Sequence, residues 1–142
     1  MEVLQRRCPD YTLFPSRCIL CFNDCETIDH LFVSCPFVCR IWLEMTKELE
    51  IPWCNPVDLK TWLEQVSMTS HGDKRGTLFR AGTIAILWAV WMERNHRIFA
   101  DKTNQWEEVW DFAKRCVASV TYGHKALKAW SWSHLCGGTY NS

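Results

Sequence analysis

Apolar residues recur at helical spacing in four stretches of the chain, and this pattern predicts a mainly α fold. The first predicted helix spans residues 36–50. Pro36 suits its first turn, because that position needs no backbone N–H, and Ile51-Pro52 should end the helix. Its apolar stripe is formed by Phe37, Val38, Ile41, Trp42, Met45 and Leu49.

A start signal for a second, shorter helix lies at Asn55-Pro56-Val57-Asp58. Asn at the N-cap, Pro at the first helical position and a carboxylate in the first turn are favoured at helix N-termini. Ser67 should close this helix, and residues 70–76 are predicted to form an exposed loop because they are rich in polar residues and glycine. The apolar face of the helix is predicted to contain Leu59, Trp62, Leu63 and Val66.

A longer third helix is predicted over residues 78–99. Asn95 falls on its apolar stripe, so we expect it to be buried and hydrogen-bonded to backbone groups. Glu93 and Arg97 form an i, i+4 pair on another face, which is expected to contribute about 0.3 kcal/mol. The predicted stripe consists of Ile84, Leu87, Trp88, Trp91 and Ile98.

The fourth predicted helix starts at Asn104, with Glu107 in capping-box spacing, and runs to about residue 122. A core containing Trp42, Trp62, Trp88, Trp91, Trp106 and Trp110 is expected. Any β-structure should be a small hairpin around Cys18 and Cys21, and residues 1–17 lack a helical period. The stripe of the fourth helix is Trp106, Val109, Trp110, Ala113, Cys116, Val117 and Val120.

The sequence between Cys18 and Cys35 contains the pattern C-x2-C-x8-H-x4-C, whose members are Cys18, Cys21, His30 and Cys35. Three thiolates and one imidazole are a typical ligand set of closed, structural zinc sites. Residues 27–32 are predicted to form a short helical turn, after which Pro36 lets Cys35 turn back toward the first pair. The predicted cofactor is one structural Zn2+.

Disulfides or free core thiols are the alternative interpretation of these cysteines. The chain has nine cysteines, an odd count, and no N-terminal apolar run that resembles a signal peptide. We therefore expect the protein in an intracellular, reducing compartment, such as the nucleus. In a reducing compartment this cysteine spacing favours metal binding over disulfide formation. Cys8, Cys25 and Cys39 are interpreted as packing residues, and each stays open as an alternative fourth ligand.

The formal net charge of the chain is zero, so no global field draws it to nucleic acid or membrane. The longest apolar run, Ile84 to Met92, is shorter than the ~20 residues that span a bilayer. Basic residues do cluster locally, beside the cysteine pair and after Asp111, where no acid follows. The candidate nucleic-acid contacts, which could also be solvated surface charges, are Arg6, Arg7, Arg17, Lys114 and Arg115.

These residues resemble the zinc-binding domain that follows the reverse transcriptase in plant LINE-type (non-LTR) retrotransposon polyproteins. The resemblance covers about residues 3–100, and it implies a module that helps that enzyme engage template RNA or target DNA. The Met1 start is expected of a reading frame separate from the enzyme, such as a truncated copy. The matching residues are Leu4-Gln5-Arg6-Arg7, Cys18-x-Leu20-Cys21, Glu26-Thr27-x-Asp29-His30-Leu31-Phe32-x-x-Cys35-Pro36-Phe37, Ile41-Trp42 and Trp88-x-x-Trp91-x-x-Arg94-Asn95-x-x-Ile98-Phe99.

Enzyme activity is not expected, because the chain has neither an Asp-Asp pair for two-metal polymerase chemistry nor a Walker phosphate loop. We predict a zinc-pinned unit (residues 1–50) followed by a helical part (51–130) within one domain, and a tail (131–142). The expected partners are RNA or DNA and a reverse transcriptase, with no membrane and no small-molecule substrate. The alternatives are a zinc-stabilised protein-interaction module and a retroelement remnant without selected function.

Overall fold

The computed structural model describes residues 12–53, 56–68 and 74–122, with side chains for 17–53, 56–68 and 74–119. A small N-terminal unit precedes a helical bundle, which confirms the predicted fold class. The domain limits at residues 50 and 130 stay a prediction, and the tail lies outside the described residues. The elements are β1 (Thr12–Arg17), β2 (Cys25–Thr27), a π-helix (His30–Ser34), α1 (Pro36–Glu48), α2 (Leu59–Met68), α3 (Lys74–Phe99) and α4 (Trp106–Tyr122).

The two strands form an antiparallel hairpin around the first cysteine pair, as predicted. Thr12 pairs with Thr27 and Arg17 with Cys25, with an irregularity between these pairs. This register places the end of β1 directly before Cys18 and returns the chain through β2 toward His30. The hairpin therefore brings the two halves of the cysteine–histidine pattern to one end of the fold.

Helix α1 begins as predicted, with Cys35 at the N-cap and Pro36 in the first turn. Cys35 has extended backbone angles (φ −61°, ψ 128°), the region that a following proline favours. The helix ends at Glu48, two residues before the predicted end, and Glu50 has a positive φ of 56°. Its buried face contains Val38, Ile41, Trp42, Met45 and Thr46.

Helix α2 begins later than predicted, because Asp58 acts as its N-terminal cap. The Asp58 carboxylate accepts a hydrogen bond from the Thr61 backbone N–H at 2.7 Å, while Asn55 lies outside the described residues. Trp62 and Val66 are buried as expected, but Leu63 is 39% exposed, so its assignment to the buried face was wrong.

Helix α3 differs from its prediction in both length and orientation. It begins at Lys74, so residues 74–76 are helical rather than part of the predicted loop. Ile84 and Trp88 are 69% and 52% exposed, and Trp88 is thus not a core residue. Ala85 and Ala89 are buried instead. Their small side chains allow α4 to pack closely on α3.

Helix α4 has most of the predicted apolar stripe, with Val109, Trp110, Ala113 and Val117 buried. Trp106 and Cys116 are partly buried, and the side chain of Val120 lies outside the described part of the chain. Its capping box is shifted by one residue: the Gln105 backbone N–H donates to the Glu108 carboxylate at 2.8 Å. Within the described residues, no helix has the length and apolar content needed to cross a membrane.

An aromatic cluster joins α1, α2 and α3. The ring centroids of Trp42 and Trp62 lie 5.3 Å apart, those of Trp53 and Trp62 4.9 Å apart, and those of Trp62 and Phe79 5.6 Å apart. All three pairs are edge-to-face, an arrangement that the charge distribution of aromatic rings favours. Among the tryptophans that the structure describes, Trp42, Trp62 and Trp110 are buried, and Trp91 and Trp106 are only partly buried.

Candidate metal centre

The structure brings Cys18, Cys21, His30 and Cys35 together, with all four potential ligand atoms within 4.8 Å of one another. The Sγ atoms of Cys18 and Cys35 lie 3.9 Å apart, and Cys21 Sγ lies 3.2 Å from His30 Nε2. Two thiolates bound tetrahedrally at ~2.3 Å from one zinc ion are about 3.8 Å apart. The cluster therefore has the composition and the dimensions that a single tetrahedral zinc ion needs.

The first two cysteines lie on a tight turn that closes on itself. The Cys18 N–H donates to the Asp24 carbonyl at 2.7 Å, and the Phe22 N–H donates to the Cys18 carbonyl at 2.8 Å. Phe22 occupies the left-handed region (φ 59°), which is rare for a bulky residue and needs support from its surroundings. The Asn23 N–H lies 3.5 Å from Cys21 Sγ, where it can stabilise a thiolate.

The π-helix explains how His30 and Cys35 reach the same point. An α-helix would place residues five positions apart about 140° from each other around its axis. The wider π-helical turn, closed by the Cys35 N–H to His30 carbonyl bond at 2.7 Å, reduces that separation. The expected helical turn is therefore present in a different form, and the Thr27 hydroxyl accepts the His30 N–H at 3.0 Å.

The four side chains perturb one another's titration. The hydrogen bond with Cys35 lowers the pKa of the Cys18 thiol to about 4, although burial opposes this shift. The same hydrogen bond, together with burial, raises the pKa of Cys35 above its ordinary value. Burial lowers the pKa of His30, but hydrogen bonds and charge from Cys18 and Cys21 outweigh it and raise that pKa to about 9.

His30 is oriented so that its two ring nitrogens face different groups. Nε2 points to Cys21 in the cluster, whereas Nδ1 lies 3.9 Å from the Asp24 carboxylate. That distance is too long for a hydrogen bond, but it places an acceptor on the side of the ring away from the cluster. Histidines that bind zinc commonly orient their second nitrogen toward such a group.

Of the alternative cysteine ligands, the two that the structure describes, Cys25 and Cys39, do not compete for this position. Cys39 Sγ donates to the Val33 carbonyl at 3.2 Å, and burial raises its pKa, so it is a packing thiol as predicted. Cys25 is disulfide-bonded, which corrects its interpretation as a packing thiol. Cys8 lies outside the described residues. The reducing compartment stays a prediction.

Two arginines of α3 bind the N-terminal unit, and sequence reasoning missed both. Arg94 forms a buried ion pair with Glu26 of β2, with Nη2 and Nε each 2.8 Å from Oε1. Arg97 Nη1 donates to the carbonyl oxygens of Ile19 and Leu20 at 3.0 and 3.4 Å. The signal for the first contact was the downstream Trp-Arg-Asn block on α3, which contains Arg94. Arg97 lies at an unspecified position of that block, so no sequence signal indicated the second contact.

The predicted i, i+4 pair of Glu93 and Arg97 is present but buried, whereas the prediction for Asn95 was wrong. Glu93 is 2% exposed, and it binds both Arg97 and Asn104. Asn95 is only partly buried, and its side-chain oxygen accepts from Arg94 Nη1 at 3.3 Å rather than from backbone groups. Asn104, which was predicted to cap α4, instead donates two hydrogen bonds to Glu93.

The candidate nucleic-acid residues are dispersed. Arg6 and Arg7 lie outside the described residues, and Arg17 is exposed at the end of β1. Lys114 forms an ion pair with Asp111 at 3.2 Å, so the expectation that no acid compensates it was wrong. Arg115 is exposed and lines a groove of about 580 Å³ between α3 and α4, together with Trp88, Phe112 and Cys116.

Among the described residues, the cysteine–histidine cluster is the one group of potential ligands with metal-site geometry. Glu26 and Glu93, the two buried carboxylates in the described part of the chain, are bound to arginines. A search of curated proteins and a search of solved structures gave no match. Residues 3–42 match the family model described as zinc-binding in reverse transcriptase. This match contains all four cluster residues and supports a reverse-transcriptase-associated zinc-binding domain in the N-terminal part of the chain.

Proposed function

We propose that Cys18, Cys21, His30 and Cys35 bind one structural Zn2+ ion. The observation that supports this proposal is the convergence of three sulfurs and one imidazole nitrogen within 4.8 Å. Four protein ligands leave no open position for water, so such a zinc ion holds the hairpin, the π-helix and the start of α1 together without catalysing hydrolysis.

The module built on this site is proposed to be non-catalytic and to bind single-stranded nucleic acid beside a LINE-type reverse transcriptase. The observation that carries this second step is the groove between α3 and α4. It contains the half-exposed indole of Trp88 and the exposed guanidinium of Arg115. Proteins that bind single strands combine aromatic stacking surfaces with basic residues, and each stacked base contributes about 1–3 kcal/mol.

A titration of the zinc-loaded protein with single-stranded RNA, single-stranded DNA and duplex DNA at two salt concentrations tests this step. Trp88→Ala should weaken binding to single strands. Arg115→Ala should weaken it too and lower the slope of log K against log salt by about 0.7, because one phosphate contact is lost. Arg40→Ala is the matched control, since Arg40 is also exposed but lies on α1 and does not line the groove.

Unchanged affinity in both groove variants would reject the groove as the binding surface, and absence of binding by the parent would reject the nucleic-acid function. A protein-docking function is the second candidate, and the apolar side of the same groove favours it. Ile84 and Trp88 are exposed there although both are large and apolar. A groove between two helices suits an amphipathic helix of a partner protein, and binding of that kind depends weakly on salt.

A further inference from the structure

Arg97 connects the C-terminal end of α3 to the turn that carries the first two cysteines. Its Nη1 atom donates to the carbonyl oxygens of Ile19 and Leu20, the two residues between Cys18 and Cys21. These two hydrogen bonds are the contacts between Arg97 and the cysteine turn, which is the backbone from Cys18 to Cys21. The arginine therefore touches the backbone whose conformation sets the distance between the two sulfurs.

The guanidinium is itself fixed by several buried contacts. Its Nε donates to Glu93 Oε1 at 2.8 Å, its Nη2 donates to the Asn104 carbonyl at 3.0 Å, and it lies 4.9 Å from the ring centre of Phe37. Glu93 is held in turn by the backbone and side-chain N–H groups of Asn104 at 2.8 and 2.9 Å. The planar guanidinium group of Arg97 has five N–H donors and donates to Glu93, Asn104 and the cysteine turn at the same time. The ammonium group of lysine could not make all of these hydrogen bonds.

We propose that Arg97 is a positioning residue for the metal centre, which holds the Cys18–Cys21 turn in its zinc-binding conformation before the metal arrives. A turn that is already ordered loses less conformational freedom when the metal binds, so zinc binds more tightly. This inference rests on the proposed zinc site. Groups that orient metal ligands without touching the metal typically change metal affinity by about 10–100-fold when they are replaced.

The test compares Arg97→Lys with Val117→Ala. Val117 is buried in α4, and its replacement weakens the core without touching the cysteine turn. Zinc dissociation constants are measured by chelator competition, unfolding is measured in denaturant, and the absorption spectrum of bound Co2+ reports the ligand geometry. Arg97→Lys should raise the zinc dissociation constant at least about tenfold and alter the Co2+ spectrum. Val117→Ala should leave both unchanged while lowering stability.

Should Arg97→Lys fail to fold, the double variant Glu93→Gln, Arg97→Gln replaces it, since it leaves no unpaired buried charge. Equal increases in the dissociation constant for the arginine variant and for Val117→Ala would overturn the inference, because stability alone would then explain both. The inference would also be overturned if Arg97→Lys had the same zinc dissociation constant and the same Co2+ spectrum as the parent protein. Absence of zinc from the parent protein would instead reject the proposed zinc site.

Discussion

Glu26 of β2 and Arg94 of α3 form a buried ion pair, with Nη2 of the arginine 2.8 Å from Oε1 of the glutamate. The two residues are 68 positions apart, and their side chains are 1% and 5% exposed. Arg94 also lies 5.1 Å from the ring centre of Trp91. This pair ties the hairpin that carries the cysteines to the longest helix of the bundle.

Replacing Arg94 with Met should lower the free energy of unfolding by about 3–5 kcal/mol, because Glu26 would remain buried without its partner. Lys114→Met is the matched control. It removes the cation of the Lys114–Asp111 pair, whose carboxylate is 64% exposed, and should cost about 0–1 kcal/mol. Denaturant unfolding of both variants measures the difference. Equal losses would mean that the Glu26–Arg94 pair does not hold the two parts together.

The tryptophans provide a second test of the packing. Trp62→Ala should cost about 3–5 kcal/mol, because this side chain is 3% exposed and packs on three other aromatic rings. Trp88→Ala should cost less than about 1 kcal/mol, since its indole is 52% exposed. Thermal or denaturant unfolding distinguishes them, and a large loss for Trp88→Ala would contradict the orientation of α3.

The sequence predicted the elements that local patterns determine. The spacing of the cysteines was enough to predict that Cys18 and Cys35 lie in one cluster, and Pro36 was enough to predict the start of α1. The orientation of α3 was not predictable in this way, because apolar residues occur on more than one side of it. The small Ala89 is buried, whereas the large Trp88 is half-exposed in the groove between α3 and α4, and only the position of α4 decides this.

The buried charges escaped prediction for a related reason. Glu93 and Arg97 have the spacing of an ordinary surface pair, and nothing local indicates burial. Glu93 accepts a hydrogen bond from the Asn104 backbone N–H, and Arg97 donates to the backbone carbonyl of Ile19. Ile19 is distant in sequence, and nothing in the sequence marks Asn104 as a partner of Glu93. Long-range hydrogen bonds of this kind are visible only when the fold is known.

Zinc binding should release protons near neutral pH. In the metal-free protein the pKa of His30 is raised to about 9 and that of Cys35 is also raised, so both are protonated there. Because zinc ligands must be deprotonated, the affinity should fall as the pH falls from about 9 through the unperturbed histidine value of 6.5. Calorimetry in buffers of different ionisation enthalpy measures the released protons. A pH-independent affinity over this range would contradict the ligand set.

The raised pKa of His30 also has a consequence for the metal-free fold. Protonation of this histidine stabilises the folded state fully below the unfolded value of 6.5, and the contribution is lost as the pH rises through about 9. Across the same range the Cys18 thiol, whose pKa is lowered to about 4, is ionised only in the folded state, so its contribution to stability rises with pH and opposes that of His30. Chelator-treated His30→Ala lacks the histidine contribution, so its stability should rise with pH relative to that of the chelator-treated parent between pH 6.5 and about 9. An equal pH dependence in the two proteins would show that His30 makes no such contribution.

The zinc content of the purified protein and of its ligand variants tests the central claim most directly. Elemental analysis should give one zinc per chain, and Cys18→Ser, Cys21→Ser, His30→Ala and Cys35→Ser should each lose it. Cys39→Ser is the control, because its thiol is bound to the Val33 carbonyl, and it should retain the metal. A parent without zinc, or full zinc content in His30→Ala, would contradict the proposed metal centre.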